Sequence, residues 1–277
     1  MITKQDIHIF EEKHRILLKS NEYICLRPHP NLREYISNYN ITFPTKDIMP
    51  SSFTAMPCGC GAFTIANDGK SLSAELDGPT IKPYNIGSQS SRLEMIVTIE
   101  FRPAGLYAVT GINQNELADK TIPVEAVNSS LGKRMSDIIE KSASVYDLVA
   151  SMDALLLTNL KTAYRPELML VLQDIKKYAG NISIKQLSNN ANYSERQLNR
   201  IFNQFVGMGT KSFSRIIRIN GTFHSLKNPH KNLAYISDMA GFHDLSHFIN
   251  DFKLVSGTTP QAYRSNMSDF YNNPTRF

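Results

Sequence analysis

The chain has 277 residues, of which 42% are hydrophobic and 20% are charged. This composition favours two packed domains over a disordered chain, and no stretch approaches the roughly 20 apolar residues of a membrane span. The N-terminal run MITKQDIHIFEEKHR carries charges where a signal peptide needs apolar residues, and the three cysteines fit a reducing compartment. We therefore expect a cytoplasmic protein that does not bind membranes.

The charge is distributed unevenly along the chain. Residues 1–164 contain 16 Lys and Arg against 18 Asp and Glu, whereas residues 165–277 contain 14 against 7. The second segment therefore carries +7 while the whole chain carries +5. An excess of this kind fits a polyanionic partner such as nucleic acid, although a solvated basic surface would give the same count.

The first half of the chain is predicted to be mostly β. A helix is expected over residues 4–19, with Ile7, Phe10, Ile16 and Leu17 on its apolar side. Short apolar runs bounded by Pro, Gly, Asn and Asp then predict strands in a small antiparallel sandwich or barrel. These runs are residues 23–26, 39–43, 62–66, 81–86 and 93–101.

After the last of these strands the pattern becomes helical. A stripe of apolar residues at helical spacing either packs in the core or faces a second subunit; its members are Tyr146, Val149, Met152, Leu156 and Leu160. The run Tyr164-Arg165-Pro166 marks a boundary, because the residue before a proline disfavours the helical conformation. We expect one domain over residues 1–164 and an all-helical domain over residues 165–277.

Two segments of the helical region, residues 184–207 and 236–257, resemble each other. Each has a short helix, a tight turn with an aromatic residue and a second helix, and the second copy has one more residue in its turn. The same spacing relates Leu198, Phe202 and Gly207 to Phe248, Phe252 and Gly257. This is the helix-turn-helix pattern, in which the second helix enters the DNA major groove. Ordinary amphipathic helical hairpins share the same pattern.

The second helix of the first copy has two distinct faces. Its buried stripe is predicted to contain Leu198, Ile201, Phe202 and Phe205, with Ser194 as the N-cap. Another face carries Arg196, Asn199, Arg200 and Asn203. Arg and Asn there can make paired contacts with guanine and adenine edges.

The second helix of the second copy follows the same plan. Phe248, Ile249 and Phe252 are expected to be buried, and Asp244 is placed to cap the helix. The face left free carries Ser246, His247, Asn250 and Lys253. Lys253 is a better phosphate than base candidate, because it lies farther along the helix.

The detailed sequence resembles the AraC/XylS family of transcription regulators over roughly residues 167–265. The second copy carries the signature; its members are Ala240-Gly241-Phe242, Phe248, Phe252-Lys253, Gly257-Thr258-Thr259-Pro260 and Tyr263-Arg264. Residues 213–220 resemble the family's long connecting helix. The resemblance implies two helix-turn-helix units on a rigid helix, entering successive major grooves about 34 Å apart. It makes Arg196, Asn199, Arg200, Ser246, His247 and Asn250 the base-reading candidates.

The sequence departs from the family pattern at three positions. Thr210 lies near a position where the family commonly has proline. Gly221 interrupts the connecting helix where Ala would be usual, at a cost of about 1 kcal/mol in helix stability. Asn192 occupies the first turn where Gly is frequent, but Asn tolerates the left-handed conformation. The short side chains of Ser246 and Asn250 predict that the second unit reads few bases.

The first half of the chain resembles, more loosely, the uncharacterised β-rich domain that often precedes this DNA-binding region. The resemblance covers roughly residues 22–125; its landmarks are Pro28, Leu32, Tyr35-Ile36, residues 56–60, Gly78-Pro79 and residues 101–105. It implies a cupin-like or related fold that senses a signal or pairs subunits. Cys58 and Cys60 fit a metal site, a redox pair or a plain Gly-rich turn. Pocket candidates are Arg27, Tyr84 and Arg102.

Taken together, the sequence predicts an α+β protein in which a β-rich, cupin-like domain precedes an all-α domain with two helix-turn-helix units joined by a long helix. The expected function is a sequence-specific regulator, such as an activator, that binds promoter DNA without catalysis, cofactor or metal. Other expected partners are RNA polymerase, a small-molecule or protein effector, and a second copy of the chain. The alternatives are an enzyme with a metal-held cysteine, a protein-interaction module and a nonspecific DNA binder.

Overall fold

The computed structural model describes residues 1–49, 54–90, 92–161 and 165–265. The strands are β1 (Ile16–Lys19), β2 (Tyr23–Leu26), β3 (Ile36–Thr42), β4 (Thr54–Ala55), β5 (Ala62–Asn67), β6 (Leu72–Asp77), β7 (Tyr84–Asn85), β8 (Met95–Phe101) and β9 (Thr121–Pro123).

The helices divide at the predicted domain boundary. Before it lie α1 (Lys4–Ile9), α2 (Gly87–Ser90), α3 (Gly105–Thr110), α4 (Gln114–Leu117), α5 (Val124–Val127), α6 (Ser129–Lys141) and α7 (Val145–Asn159). After it lie α8 (Pro166–Lys177), α9 (Ile184–Asn190), α10 (Glu195–Val206), α11 (Thr210–Asn220), α12 (Phe223–Leu226), α13 (Leu233–Met239), α14 (Leu245–Ser256) and α15 (Pro260–Ser265). A β-rich part followed by a helical part confirms the predicted α+β class. Tyr164, where the boundary was expected, lies outside the described residues.

Seven strands form one antiparallel sheet in the order β1-β2-β3-β8-β5-β6-β9, and β4 pairs with β7 in a separate ribbon. The runs predicted at 23–26, 62–66 and 93–101 correspond to β2, β5 and β8. The run at 81–86 contains only the two residues of β7. That the fold is cupin-like stays a prediction.

The two faces of the sheet differ in chemistry. On β8, Met95, Val97, Ile99 and Phe101 are buried in the N-terminal core, as their alternation predicted. The same core contains the side of α7 that carries Val149, Met152 and Leu156, while Tyr146 is 38% exposed at its edge. The apolar stripe of α7 therefore packs mainly within its own chain, which is one of the two roles expected for it.

The helix expected over residues 4–19 is wrong beyond its first turns. The helix ends at Ile9, and Phe10 takes an extended conformation with φ −69° and ψ 120°. The apolar run that begins at Ile16 pairs instead with β2, with Leu18 opposite Cys25. Pairing with a neighbouring strand has therefore overridden the helical spacing, and Ile7 and Phe10 remain buried at 0% and 1% exposure.

A second apolar core lies among helices α8 to α15 and extends into the N-terminal part through Met56 and Ala104. The rings of Tyr107 and Phe205 lie 4.3 Å apart across this junction. The Asn220 amide donates a hydrogen bond to the Pro57 carbonyl at 3.0 Å. The two parts are therefore packed together. None of the described helices is long and apolar enough to cross a membrane.

Candidate nucleic-acid interface

The first helix-turn-helix unit consists of α9, a four-residue turn and α10. Asn192 in the turn has φ +55°, the left-handed conformation that Asn tolerates better than most residues, so the expected turn forms. Ser194 caps α10 by accepting a hydrogen bond from the Gln197 backbone N–H at 3.2 Å. The Gln197 side chain accepts from the Ser194 N–H at 3.0 Å, which completes a capping box.

Helix α10 buries its predicted apolar stripe and leaves two guanidinium groups in solvent. Leu198, Ile201, Phe202 and Phe205 are all buried, as the sequence predicted. Arg196 and Arg200 lie one turn apart on an exposed face. Within the part of the chain that the structure describes, neither guanidinium has an ion-pair or hydrogen-bond partner, so both can reach a ligand.

The two asparagines of α10 are already engaged with the protein. Asn199 Oδ1 accepts a hydrogen bond from the Thr210 N–H at 3.3 Å, where α11 begins. Asn203 Nδ2 donates to the Asn199 carbonyl at 2.8 Å. Sequence reasoning treated all four polar residues alike, whereas the structure separates two arginines that point outward from two asparagines that hold local backbone.

The second unit, α13 and α14, has the expected five-residue turn, with Gly241 at φ +72°. Asp244 caps α14 by accepting the His247 N–H at 2.7 Å. That backbone hydrogen bond, followed by the contact with His243, holds the pKa of the Asp244 carboxyl below its usual range. Phe248 and Phe252 are buried as predicted, but Ile249 is only half-buried.

The predicted contact residues of α14 divide in a similar way. Ser246, Asn250 and Lys253 are exposed. His247 is 46% exposed, but its Nε2 lies 3.6 Å from Asp251 Oδ2 and its ring meets the edge of Phe242. The His247 imidazole is therefore partly engaged in contacts within its own domain.

Asp251, which sequence reasoning did not single out, joins α14 to α11. Arg215 Nε lies 3.0 Å from its Oδ1, and Arg218 Nη2 lies 3.0 Å from its Oδ2. The Arg218 guanidinium also stacks 4.3 Å from the centre of the Phe242 ring. Burial lowers the pKa of Arg218 despite the nearby carboxylate. The orientation of the second unit is thus fixed by a half-buried charge cluster.

The connecting helix contains the whole segment expected for it, residues 213–220. Helix α11 has 11 residues, about 16 Å of rise, and ends at Gly221, after which the short α12 follows. Gly221 was expected to weaken one long helix, and the helix ends there instead. The spacing between the two units therefore depends on α11, on the break at Gly221 and on the Asp251 cluster.

The family-like signature after α14 has a structural explanation. Gly257 takes φ +74° at the end of α14, a conformation that favours glycine, and Pro260 begins α15. Tyr263 is buried, and Arg264 donates to the Leu226 and Lys231 carbonyls at 3.0 and 2.8 Å. These residues close the second unit.

Cys58 and Cys60 lie in a tight turn. Each sulfur faces the carbonyl of the other residue, at 3.6 and 3.5 Å, and Gly59 between them has φ +67°. Among residues 1–49, 54–90, 92–161 and 165–265, no three metal-binding side chains come together. Of the pocket candidates, Tyr84 lines one cavity and Arg102 lines another, where Arg102 also donates to the Arg33 carbonyl. Arg27 donates to the His14 carbonyl.

Comparison with known proteins agrees with this geometry. Residues 187–266 match the family model of a helix-turn-helix domain. The C-terminal part is an AraC-type helix-turn-helix domain. Residues 25–123 match a family described only as a domain of unknown function. The AraC-type domain thus follows a β-rich domain to which no activity is assigned.

A curated relative is the Msm operon regulatory protein of Streptococcus mutans, which is 25% identical over 93 residues. The match spans about a third of each protein, 34% of this chain and 34% of the relative.

One similar solved structure is a Chromobacterium violaceum regulator with an AraC-type DNA-binding domain, which is 22% identical. The match covers 39% of this chain and 95% of the regulator, with a TM-score of 0.34. The AdpA DNA-binding domain in complex with a target DNA has 19% identity, 36% and 92% coverage and TM-score 0.34. ToxT of Vibrio cholerae has 13% identity, 83% and 93% coverage and TM-score 0.40.

Proposed function

We propose that the protein is a sequence-specific DNA-binding transcription regulator. The observation that carries this proposal is the pair Arg196 and Arg200, exposed one turn apart on the second helix of an AraC-type unit. Guanidinium groups at this position match the acceptors that guanine presents in the major groove. The charge of +7 on residues 165–277 supplies attraction to the phosphate backbone.

The contact residues have different roles. Arg196 and Arg200 read base edges. Asn199 and Asn203 contribute to binding through the side-chain groups that their contacts within the protein leave available, Nδ2 of Asn199 and Oδ1 of Asn203. In the second unit Ser246, His247 and Asn250 make short contacts with bases or backbone, and Lys253 binds a phosphate. Recognition is therefore concentrated in the first unit.

The N-terminal domain controls how the two units are presented. The packing of Tyr107 on Phe205 and the hydrogen bond from Asn220 to Pro57 tie α10 and α11 to it. A signal that moves those contacts changes the position of the first reading helix. We propose an effector, RNA polymerase and a second copy of the chain as its further partners. We propose residues 1–164 and 165–277 as the two domains.

The test is selection of random duplex DNA on the full chain at near-physiological salt, followed by affinity measurements on selected and scrambled duplexes. We expect one enriched motif in two blocks about a helical turn apart, lost when Arg196 and Arg200 are both changed to Ala. Binding without an enriched motif would favour the nonspecific DNA binder. No binding at all would favour a protein-interaction module.

A further inference from the structure

The sheet has a polar face that is partly covered, with Ser73 and Glu75 on β6 exposed to solvent. In the antiparallel register, Asn38, Glu100, Ala62 and Asp77 form one row across β3, β8, β5 and β6. The next row contains Asn40, Thr98, Thr64 and Glu75. The side chains that β5 contributes to these rows are small, so the centre of this face is recessed. Above it lies a cavity of about 500 Å³ whose wall includes the ribbon of β4 and β7.

The charges of the cavity have one sign. Its lining includes Glu75, Asp77 and Glu100, and none of the described lining residues is Lys, Arg or His. Asp77 accepts hydrogen bonds from the Thr64 and Thr121 hydroxyls, both at 2.7 Å, and Glu100 accepts one from Asn38 at 3.0 Å. The two hydroxyl donors to Asp77 are neutral, so they orient its carboxylate without cancelling its charge.

Glu75 shows that the charges affect one another. Burial, and then the negative charge of Asp77, raise the pKa of its carboxyl. A cation between these groups would offset both effects, because an opposite charge favours the ionised carboxylates. Apolar side chains complete the wall on the other side; they include Met49, Met56, Ile86, Leu93 and Ile96. The cavity therefore combines an acidic floor with an apolar wall, and its volume is typical of a small-molecule site.

The spacing of the carboxylates selects an extended ligand over a metal ion. Asp77 and Glu100 lie two strands apart, about 9 to 10 Å between their backbones, and Glu75 is displaced about 7 Å along β6. A single Ca²⁺ or Mg²⁺ needs its oxygens within about 2.6 Å of itself. The described residues also contain no metal-binding group of three or more.

We propose that this cavity binds a small organic cation, such as a diamine or a guanidino-amine, whose charged ends meet the carboxylates of Glu75, Asp77 and Glu100. The polar floor accepts the N–H donors of both ends, and the methionine and isoleucine side chains cover the methylene chain. The assignment of the ligand class stands on the cavity itself and does not depend on DNA binding.

The cavity wall also touches the DNA-binding domain. Met56, Cys58 and Cys60 line the cavity, while a Cβ on the intervening Gly59 would lie 2.8 Å from the Phe213 ring of α11. A ligand that shifts this turn therefore shifts α11. This second step, a change in DNA affinity when the cation binds, rests on the proposed function.

The binding test is calorimetric titration of the full chain with agmatine, putrescine and phenethylamine, and with 1,6-hexanediol and adipate as neutral and anionic probes of similar length. We expect saturable binding of at least one amine in a one-to-one ratio and none of the last two. Glu75→Gln should weaken it about tenfold, because a charged hydrogen bond is lost. Glu94→Gln, on an exposed residue that directly precedes β8 and lies outside the cavity lining, should leave it unchanged.

Three results would overturn the assignment. One is failure of all three amines to saturate; another is equal binding of 1,6-hexanediol; the third is equal loss of affinity in Glu75→Gln and Glu94→Gln. DNA affinity is then measured with and without the bound amine. The same measurement on Glu75→Gln, which binds the amine weakly, shows how much of the change comes from the amine acting on DNA directly. Amine binding in a chain that binds no DNA would sink the proposed function and leave the cavity assignment intact.

Discussion

The two helix-turn-helix units share a backbone plan but differ in what their second helices do. Helix α10 presents two arginines to solvent, whereas α14 presents Ser246, Asn250 and Lys253 and uses Asp251 to bind α11. The first unit also packs against the N-terminal domain through Phe205. One pattern in the sequence therefore leaves two arginines exposed in one copy, and ties the second helix to α11 in the other.

The sharpest test of this contrast is removal of the anchor. Asp251→Ala leaves Arg215 and Arg218 half-buried without their shared carboxylate, and we expect the free energy of unfolding to fall by about 3 kcal/mol or more. Urea denaturation measures this change. Asp238→Ala, on an exposed face of α13, is the matched control and should change stability by less than about 0.5 kcal/mol. Equal effects of the two substitutions would deny Asp251 its role as the anchor.

The reading function of the first unit is tested by single substitutions on the selected duplex. Arg196→Ala should weaken binding of the cognate sequence by about 1–3 kcal/mol and binding of scrambled DNA much less, because a base contact is lost. Gln261→Ala, on an exposed residue of α15 outside both candidate helices, should change either affinity by less than about 0.5 kcal/mol. If Arg196→Ala weakened cognate and scrambled DNA equally, its role would be a phosphate contact.

The cap of the reading helix gives a smaller effect on folding. Ser194→Ala removes the hydrogen bond to the Gln197 N–H and half of the capping box, and we expect a loss of about 1 kcal/mol in stability. Thermal unfolding of the variant, compared with Ser246→Ala, measures it. A variant as stable as the control would show that tertiary packing alone sets the start of α10.

The smallest effect concerns Lys253. Lys253→Ala should lower affinity for all duplexes alike and reduce the slope of log affinity against log salt by about 1, because one phosphate contact is lost. Binding measured from low to physiological salt on selected and scrambled duplexes gives both quantities. A sequence-dependent loss with an unchanged slope would instead make the second unit a base reader.

The sequence predicted features that depend on a few neighbouring residues. The caps at Ser194 and Asp244, the left-handed turn at Asn192 and the buried stripe of α10 each follow from local spacing, and all are present. Strand β1 was mistaken for helix because its partner β2, not its own pattern, decides its conformation. Strands β6 and β9 were missed because short, half-polar runs acquire their identity from pairing.

Long-range contacts explain the rest of what sequence reasoning missed. Asp251 finds Arg215 and Arg218 more than 30 positions earlier, and nothing in the spacing of α14 indicates it. The engagement of Asn199 with Thr210 likewise depends on how α11 turns back on α10. Local patterns thus predicted the candidate reading helix, and only the folded chain showed which of its side chains are available.

The junction between the two parts has a consequence for exchanging modules between regulators. Gly59 faces the Phe213 ring, and a Cβ on Gly207 would lie 2.9 Å from the Gln114 carbonyl oxygen, so each side presents a glycine where the other comes close. Met56 and Ala104 complete a core that otherwise belongs to the helices. A chimera that joins a foreign sensor domain to this AraC-type domain would need the same residues at the junction, because the surfaces of the two parts are complementary there.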